Sequence, residues 1–217
     1  MAEYTGAMLT AADALPHRPR RVAVAGVSGT GKTTLAARIA AVTDGAHTEI
    51  DALYHGPDWV PRPEFLDDVL DFTSAESWTT EWQYNAARPR LGERADLIVW
   101  LDLPFARVTL PRVVRRTIRR RARREQLWNG NVERPLWTIL TDPEHIIRWA
   151  IATRGVYRQR IPELERLHPH LVIVRLRSQR EADAWVATTL PAAVRGGHGS
   201  PMDQRLHDHG PAASEPR

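Results

Sequence analysis

One lysine, Lys32, stands among 30 Lys and Arg residues. Every other basic side chain is arginine, so this position needs something a guanidinium does not offer. An ammonium is a compact point charge on a flexible stem, whereas a guanidinium is a planar fork. The neighbours show where that difference counts. Gly26-Val27-Ser28-Gly29-Thr30-Gly31-Lys32-Thr33 has the spacing G-x-x-x-x-G-K-[ST], in which glycines let main-chain N–H groups close around a polyphosphate. Lys32 then reaches the β- and γ-phosphates, and the Thr33 hydroxyl ligates Mg²⁺. The chemistry to expect is phosphoryl transfer, with ATP and Mg²⁺ as cofactors.

Such a loop works only between a strand and a helix. Arg21-Val22-Ala23-Val24-Ala25 reads as a short strand, and Thr34 to Val42 carries apolar residues at helical spacing. The helix start adds the positive end of its dipole to the anion site. Gly26, Val27, Ser28, Gly29, Thr30, Gly31, Lys32, Thr33 and Thr34 are therefore the candidate nucleotide-binding residues. The bland alternative, a glycine-rich turn that caps a helix, does not require a strand directly before it.

Three carboxylates follow candidate strands. His47 to Asp51 reads as a short strand ending in Asp51, and ligands of open parallel sheets lie beyond the carboxyl ends of strands. Asp51 is thus placed toward an acceptor, with a turn or helix-capping role as the alternative. Ser77 to Tyr84 is rich in aromatic and β-branched residues and carries Glu81 near its end. Leu97 to Leu101 is an apolar run suited to a strand buried on both faces, and Asp102 follows it. Glu81 or Asp102 is expected to join Thr33 on the metal, and the sequence leaves the choice open.

Between Arg112 and Arg124, eight of thirteen residues are arginine. Arg112, Arg116, Arg120 and Arg124 recur every four residues, which puts them on one helical face. Like charges so arranged repel unless an anion neutralises them. Three readings compete: a triphosphate clamp in a closing lid, with Arg116 and Arg120 converging on the transferred group; a ridge that binds nucleic-acid backbone; or a solvated face paired with Glu125, Glu133 and Glu144. Gln126 to Glu133 forms a polar turn suited to a lid tip.

Further along, Pro143 to Leu167 reads as one long helix, Leu171 to Leu176 as a fifth strand and Glu181 to Leu190 as a last helix. The organisation expected is an N-terminal extension over 1–19, one domain over 20–195 with a lid at about 115–135, and a disordered tail over 196–217. Composition agrees, since 42% hydrophobic and 26% charged residues suit one soluble globular domain. The absence of cysteine excludes disulfides and thiolate metal sites. No apolar stretch approaches the roughly 20 residues that span a bilayer, and Met1 to Leu15 lacks a basic-then-apolar signal pattern. A cytoplasmic protein with no membrane partner is expected.

Together these pieces resemble the nucleoside-monophosphate-kinase branch of the phosphate-loop NTPases, and within it the adenylate-kinase-like proteins labelled DNA topology modulation proteins. The resemblance rests on Gly26 to Thr33; Asp51-Ala52-Leu53 with Trp59 and Pro61; Trp78 to Tyr84; Ala95 to Pro104; Arg112 to Thr117 with Arg119 and Arg120; and Gly130 to Glu133. It implies an α/β fold of three layers, α/β/α, with a five-stranded parallel sheet of order 2-3-1-4-5 and an Arg-rich helical lid. Where those relatives read W-x-x-D-G-N-Y, this chain has Glu81-Trp82-Gln83-Tyr84. Trp82 is therefore expected to fill space beside the phosphates and to bar an ordinary nucleoside monophosphate.

The reading that results is an ATP-dependent phosphotransferase acting on a small, nucleotide-like or metabolite acceptor. Lys32, Asp51, Arg116 and Arg120 are its catalytic candidates. Two rivals stand beside it. One is a nucleic-acid end kinase or nucleic-acid-binding ATPase that uses the arginine ridge, which is not favoured. The other is a nucleotide-responsive ATPase without an acceptor. Nothing in the sequence sets the oligomeric state or the choice of ATP over GTP.

Overall fold

A parallel sheet covered on both faces needs apolar residues at nearly every strand position. In the computed structural model, which describes residues 8–142 and 145–196, five strands meet that demand: β1 (Arg21–Gly26), β2 (Ala46–His47), β3 (Trp78–Glu81), β4 (Leu97–Leu101) and β5 (Val172–Leu176). All pairings are parallel, and the order is β2-β3-β1-β4-β5, as expected. Around the sheet run α1 (Lys32–Thr43), α2 (Ile50–Tyr54), α3 (Phe65–Ser74), α4 (Arg88–Arg94), α5 (Leu110–Arg123), α6 (Ile146–Ala152), α7 (Val156–Leu167), α8 (Gln179–Ala187) and α9 (Thr189–Gly196).

Strand side chains alternate between two faces, and two cores divide accordingly. Ala23, Ala25, Trp78, Ile98, Trp100 and Ile173 pack with Phe65 and Val69 of α3, Leu91 of α4 and Ile161 and Leu164 of α7. Their neighbours Val22, Val24, Leu97, Val99, Val172 and Val174 pack with Leu35 and Ile39 of α1 and with Ala182, Trp185 and Leu190 of α8 and α9. The result is three layers, α/β/α. A third, smaller cluster joins Val113 of α5 to Ile147 and Ala150 of α6.

Several local expectations change. The predicted helix from 143 to 167 is two helices separated at Thr153–Gly155, where Thr153 and Gly155 are poor helix formers; Pro143 and Glu144 lie outside the described residues. The break lets α7 redirect so that Tyr157, Ile161 and Leu164 face the sheet. The predicted last helix is also two, α8 and α9. The strand expected to end at Asp51 stops at His47, and Asp51 sits in the first turn of α2. A buried acceptor causes this turn, because Ile50 N donates to the Glu81 carboxylate at 3.0 Å.

Ahead of β1, Leu9 lies along β5, with Leu9 N donating to Ile173 O and Arg175 N donating to Leu9 O, both at 2.8 Å. The expected tail lies outside the described residues apart from Gly196, which ends α9. No helix among the described residues is long and apolar enough to cross a membrane.

Ile98 is fully buried at the centre of β4. Truncation to alanine leaves a cavity between sheet and helices, so Ile98→Ala should lower stability by about 2–5 kcal/mol. Urea unfolding should show a lower midpoint at unchanged slope.

Candidate active site

The glycine loop leaves β1 at its carboxyl end and is tied to itself before α1 begins. Thr30 is buried, and its hydroxyl donates to Val27 O at 2.8 Å. Leu35 N donates to Gly31 O at 2.9 Å, which starts the helix. Lys32 folds back over the loop, with Nζ 3.4 Å from Val27 O. Gly29 has φ +84°, and a Cβ there would stand 2.5 Å from Val113 Cγ2 and 2.7 Å from Thr109 O. A side chain is excluded by both strain and space, so the loop seats directly against the start of α5. Ser28 is half-buried, while Gly31 and Thr34 are exposed.

Sheet register decides which carboxylate meets this loop. Glu81 pairs with Val24 and shares its face, the side covered by α1. Glu81 is 2% exposed; its Oε2 accepts from Ile50 N at 3.0 Å, and His47 Nε2 lies 3.5 Å from Oε1. Burial by itself would raise its pKa. The His47 ring, the Ile50 N–H and the Thr33 hydroxyl together override burial and hold it below the usual glutamate range.

Asp102 has the opposite parity. It shares the face of Trp100, and Arg175 of β5 binds its Oδ2 through Nε at 3.0 Å and through Nη2. Arg158 Nε lies 3.8 Å from Oδ1. Arg175 in turn stacks on Trp100, 4.6 Å from the ring centre. Of the two carboxylates left open by the sequence, the structure brings Glu81 to Thr33 and gives Asp102 to arginines. The described residues contain no group of three or more His, Asp or Glu side chains arranged around a metal. Mg²⁺ needs no such cage, because it retains waters and takes one or two protein oxygens beside substrate phosphates. Thr33 and Glu81 fit that demand, and Glu81 Oε1 is buried without a hydrogen-bond partner.

On the other side of the loop, Asp51 is the centre of a polar cluster. Gln83 Nε2 donates to Asp51 Oδ1 at 2.7 Å and Tyr84 OH donates to the same oxygen at 2.5 Å. Both bonds fall on Oδ1, which leaves Oδ2 for a further proton. Burial first, and Asp51 second, push the Tyr84 phenol far above its ordinary value, so it stays a donor. His55 Nε2 lies 3.1 Å from the Tyr84 oxygen. With the phenol proton committed to Asp51, network logic assigns Nε2 as the donor there. Burial lowers the His55 pKa, so the ring is neutral near pH 7. Tyr84 has φ +59°, a conformation that brings its ring under Tyr54 at 3.9 Å.

The turn after α5 closes over this cluster. Trp59 N donates to Asn131 Oδ1 at 3.0 Å and Trp59 Nε1 to Val132 O at 3.3 Å. Asn131 Nδ2 donates to Gly56 O at 2.8 Å, and Asn129 Nδ2 to His55 O at 2.5 Å. His55 also stacks on Trp128 at 6.0 Å. These contacts clasp residues 128–132 to residues 55–59.

The arginines of α5 divide by their partners. Arg120 is held by Glu125 at 3.4 Å and by the buried Glu133 at 3.5 Å. Arg119 faces Glu125, and Arg112 donates to Gln179 Oε1 at 3.2 Å. Arg115, Arg123 and Arg124 are exposed. Arg116 differs from all of these. It makes no ion pair among the described residues, and its buried Nε lacks a partner. Burial, then the Arg120 charge, lower its pKa, while Glu133 and Asp51 act the other way; a guanidinium still stays protonated. Arg116 is thus a half-buried cation with no direct ion pair among the described residues, in the field of both Asp51 and Glu133.

Trp82 corrects a further expectation. It is 4% exposed and packs beside Tyr157, donating from Nε1 to Arg88 O at 3.3 Å. It therefore lies in the core on the α7 side and fills no space beside the phosphates, because it falls one residue after Glu81 and so takes the other face. The sequence quoted Gln83 and Tyr84 without assigning them a role, and it missed His47 and His55. For Gln83 and Tyr84 the available signal was their position directly after β3 at the carboxyl edge of the sheet, and for His47 its place at the end of β2; His55, which follows α2, carried no such signal.

No protein-family model and no curated protein matches the chain. Solved structures similar to it include a shikimate kinase from Acinetobacter baumannii in complex with shikimate, at 16% identity and TM-score 0.46, covering 82% of this chain and 94% of that one. A gluconokinase from Sinorhizobium meliloti shares 20% identity at TM-score 0.46, covering 84% of this chain and 99% of that one. A sugar kinase from Janibacter sp. shares 23% at TM-score 0.43, covering 80% and 97%.

Two measurements follow from this geometry. Glu81→Gln should raise the Mg²⁺ concentration needed for nucleotide binding, while Asp102→Asn should leave that requirement unchanged and lower thermal stability by loosening Arg175; Mg²⁺ titrations and melting curves of both variants decide. Separately, Arg116→Ala should lower turnover of bound ATP on the order of 10²-fold, the scale for losing one preorganised electrostatic donor. Arg112→Ala and Arg124→Ala should change it far less.

Proposed function

We propose that this chain is an Mg·ATP-dependent phosphotransferase that moves the γ-phosphoryl group to a hydroxyl of a small acceptor. The observation that supports it most is the convergence of three features on the carboxyl edge of one sheet. The Lys32 loop faces Glu81 through Thr33, Asp51 offers an unbonded carboxylate oxygen, and Arg116 brings an uncompensated positive charge between the glutamate-lined lid and Asp51.

Each residue has a role that follows from its charge and position. Loop amides and Lys32 bind the nucleotide phosphates, and Gly29 keeps the loop close against α5. Thr33 and Glu81 would hold Mg²⁺, whose chemistry is to neutralise phosphate charge and orient the transferred group. Asp51 Oδ2 accepts the proton of the acceptor hydroxyl while Gln83 and Tyr84 fix the carboxylate through Oδ1. Arg116 stabilises negative charge that develops on the phosphoryl oxygens. The clasp between 128–132 and 55–59 excludes water, which protects transfer against hydrolysis.

The nucleic-acid alternative gains no support from the arginine helix, because Arg119 is paired with Glu125, Arg120 with Glu125 and Glu133, and Arg121 donates to Glu133 O at 3.4 Å. Lys32→Ala should reduce ATP turnover by on the order of 10²-fold or more. Asp51→Asn keeps shape and removes the base, so it should abolish acceptor-dependent ADP release while nucleotide affinity stays within about twofold. Wild-type turnover in the Lys32 variant would overturn the reading.

A further inference from the structure

Most arginines on the α3, α4 and α7 side of the sheet have an acid or a backbone carbonyl at hand: Arg62 with Asp68 at 2.9 Å, Arg90 with Glu93 at 3.5 Å, and Arg94 donating to Thr73 O at 3.2 Å. Arg88 is an exception. Its Nη1 donates to Asn85 Oδ1 at 2.6 Å and its Nη2 to Tyr157 OH at 3.4 Å. Its Cζ lies 5.3 Å from the Trp82 ring centre and 5.8 Å from that of Tyr157. An amide oxygen, a phenol and two ring faces position a guanidinium without neutralising it. The buried Nε has no partner at all.

A second cation stands beside it. Arg160 follows Tyr157 by three residues on α7 and so shares its helical face. It forms no ion pair among the described residues. Burial, and then the charge of Arg88, lower its pKa, which Tyr157 and Glu163 only partly offset. Two like charges partly withdrawn from water repel strongly, yet aromatic packing holds Arg88 in place. Guanidinium forks match the oxygens of a carboxylate or phosphate.

The position of this pair ties it to the acceptor side. Tyr157 OH donates to Trp82 O at 3.2 Å. Trp82 is followed directly by Gln83 and Tyr84, which hold Asp51, and then by Asn85, which holds Arg88. One short turn thus contacts Asp51 through Gln83 and Tyr84 and Arg88 through Asn85. We propose that Arg88 and Arg160, with Arg88 positioned by Tyr157, form an anion site that anchors a carboxylate or phosphate group of the acceptor while its hydroxyl meets Asp51. The anion site stands on its own geometry; assigning its anion to the acceptor rests on the phosphotransferase reading.

The test uses the full chain saturated with Mg²⁺ and a non-hydrolysable ATP analogue, so that the glycine loop is filled. Calorimetry then follows inorganic phosphate and acetate in separate titrations. At least one should bind, phosphate alone pointing to a phosphate ester and acetate binding to a carboxylic acid. Arg160→Gln should weaken that binding about tenfold, the scale for losing one charge-assisted contact. Because Arg88 variants also disturb Trp82, the second variant is Arg160→Glu, which should pair with Arg88, raise the Tm of the unliganded protein and abolish anion binding. The site is overturned if neither anion binds, if Arg160→Gln binds as well as wild type, or if Arg160→Glu melts lower. Loss of analogue binding at the outset is a different failure, since it removes the nucleotide site on which the phosphotransferase reading depends.

Discussion

A single buried carboxylate ties the working parts together. Glu81 sits at the end of β3 and is reached by Thr33 at the start of α1, by His47 on β2 and by the main-chain N–H of Ile50 at the start of α2. Removing an ionised group from water is costly unless its lone pairs are occupied, so these partners must arrive together. Their arrival turns the chain after His47 and starts α2, which in turn presents Asp51. The glycine loop and the Asp51 cluster are therefore coupled through one side chain.

Charge compensation explains which arginines are structural. A chain with 29 arginines and one lysine (30 basic residues in all) carries many cations that need partners. Arg175 with Asp102, Arg62 with Asp68 and Arg120 with Glu133 are satisfied within the fold. Arg116, and the pair Arg88 and Arg160, are not. In a folded protein an uncompensated, half-buried cation raises the energy of the empty state and lowers it when an anion enters. The phosphoryl group and the acceptor's anionic group would relieve those two separate strains.

The clasp formed by Trp59, Asn129 and Asn131 is built from hydrogen bonds that include a buried one from Asn131 to Gly56 O, with aromatic stacking beside them. Such contacts are individually modest. By contrast, the seat of the glycine loop against Thr109 and Val113 is tight enough to exclude a methyl group at Gly29.

Much of this was legible in the sequence. The lone lysine in its glycine-rich spacing, the strand before it and the helix after it mark out a strand, glycine loop and helix in that order, as the structure has them. Apolar runs and their punctuation predicted all five strands, with β2 and β3 differing in extent: the third was expected over 77–84 and covers Trp78–Glu81. What local pattern does not carry is register. Glu81 and Asp102 each end a buried strand, and only the pairing of Val24 with Glu81 and of Gly26 with Leu101 turns one toward Thr33 and the other toward Arg175. The same parity sends Trp82 into the core. Likewise, the four-residue spacing marked Arg116 and Arg120 alike, but Glu133, thirteen residues beyond Arg120, neutralises one and leaves the other free. Periodicity is a property of the chain and can be read along it; which face a strand end shows, and which cation finds an acid, depend on elements distant in sequence and so were decided by the tertiary structure alone.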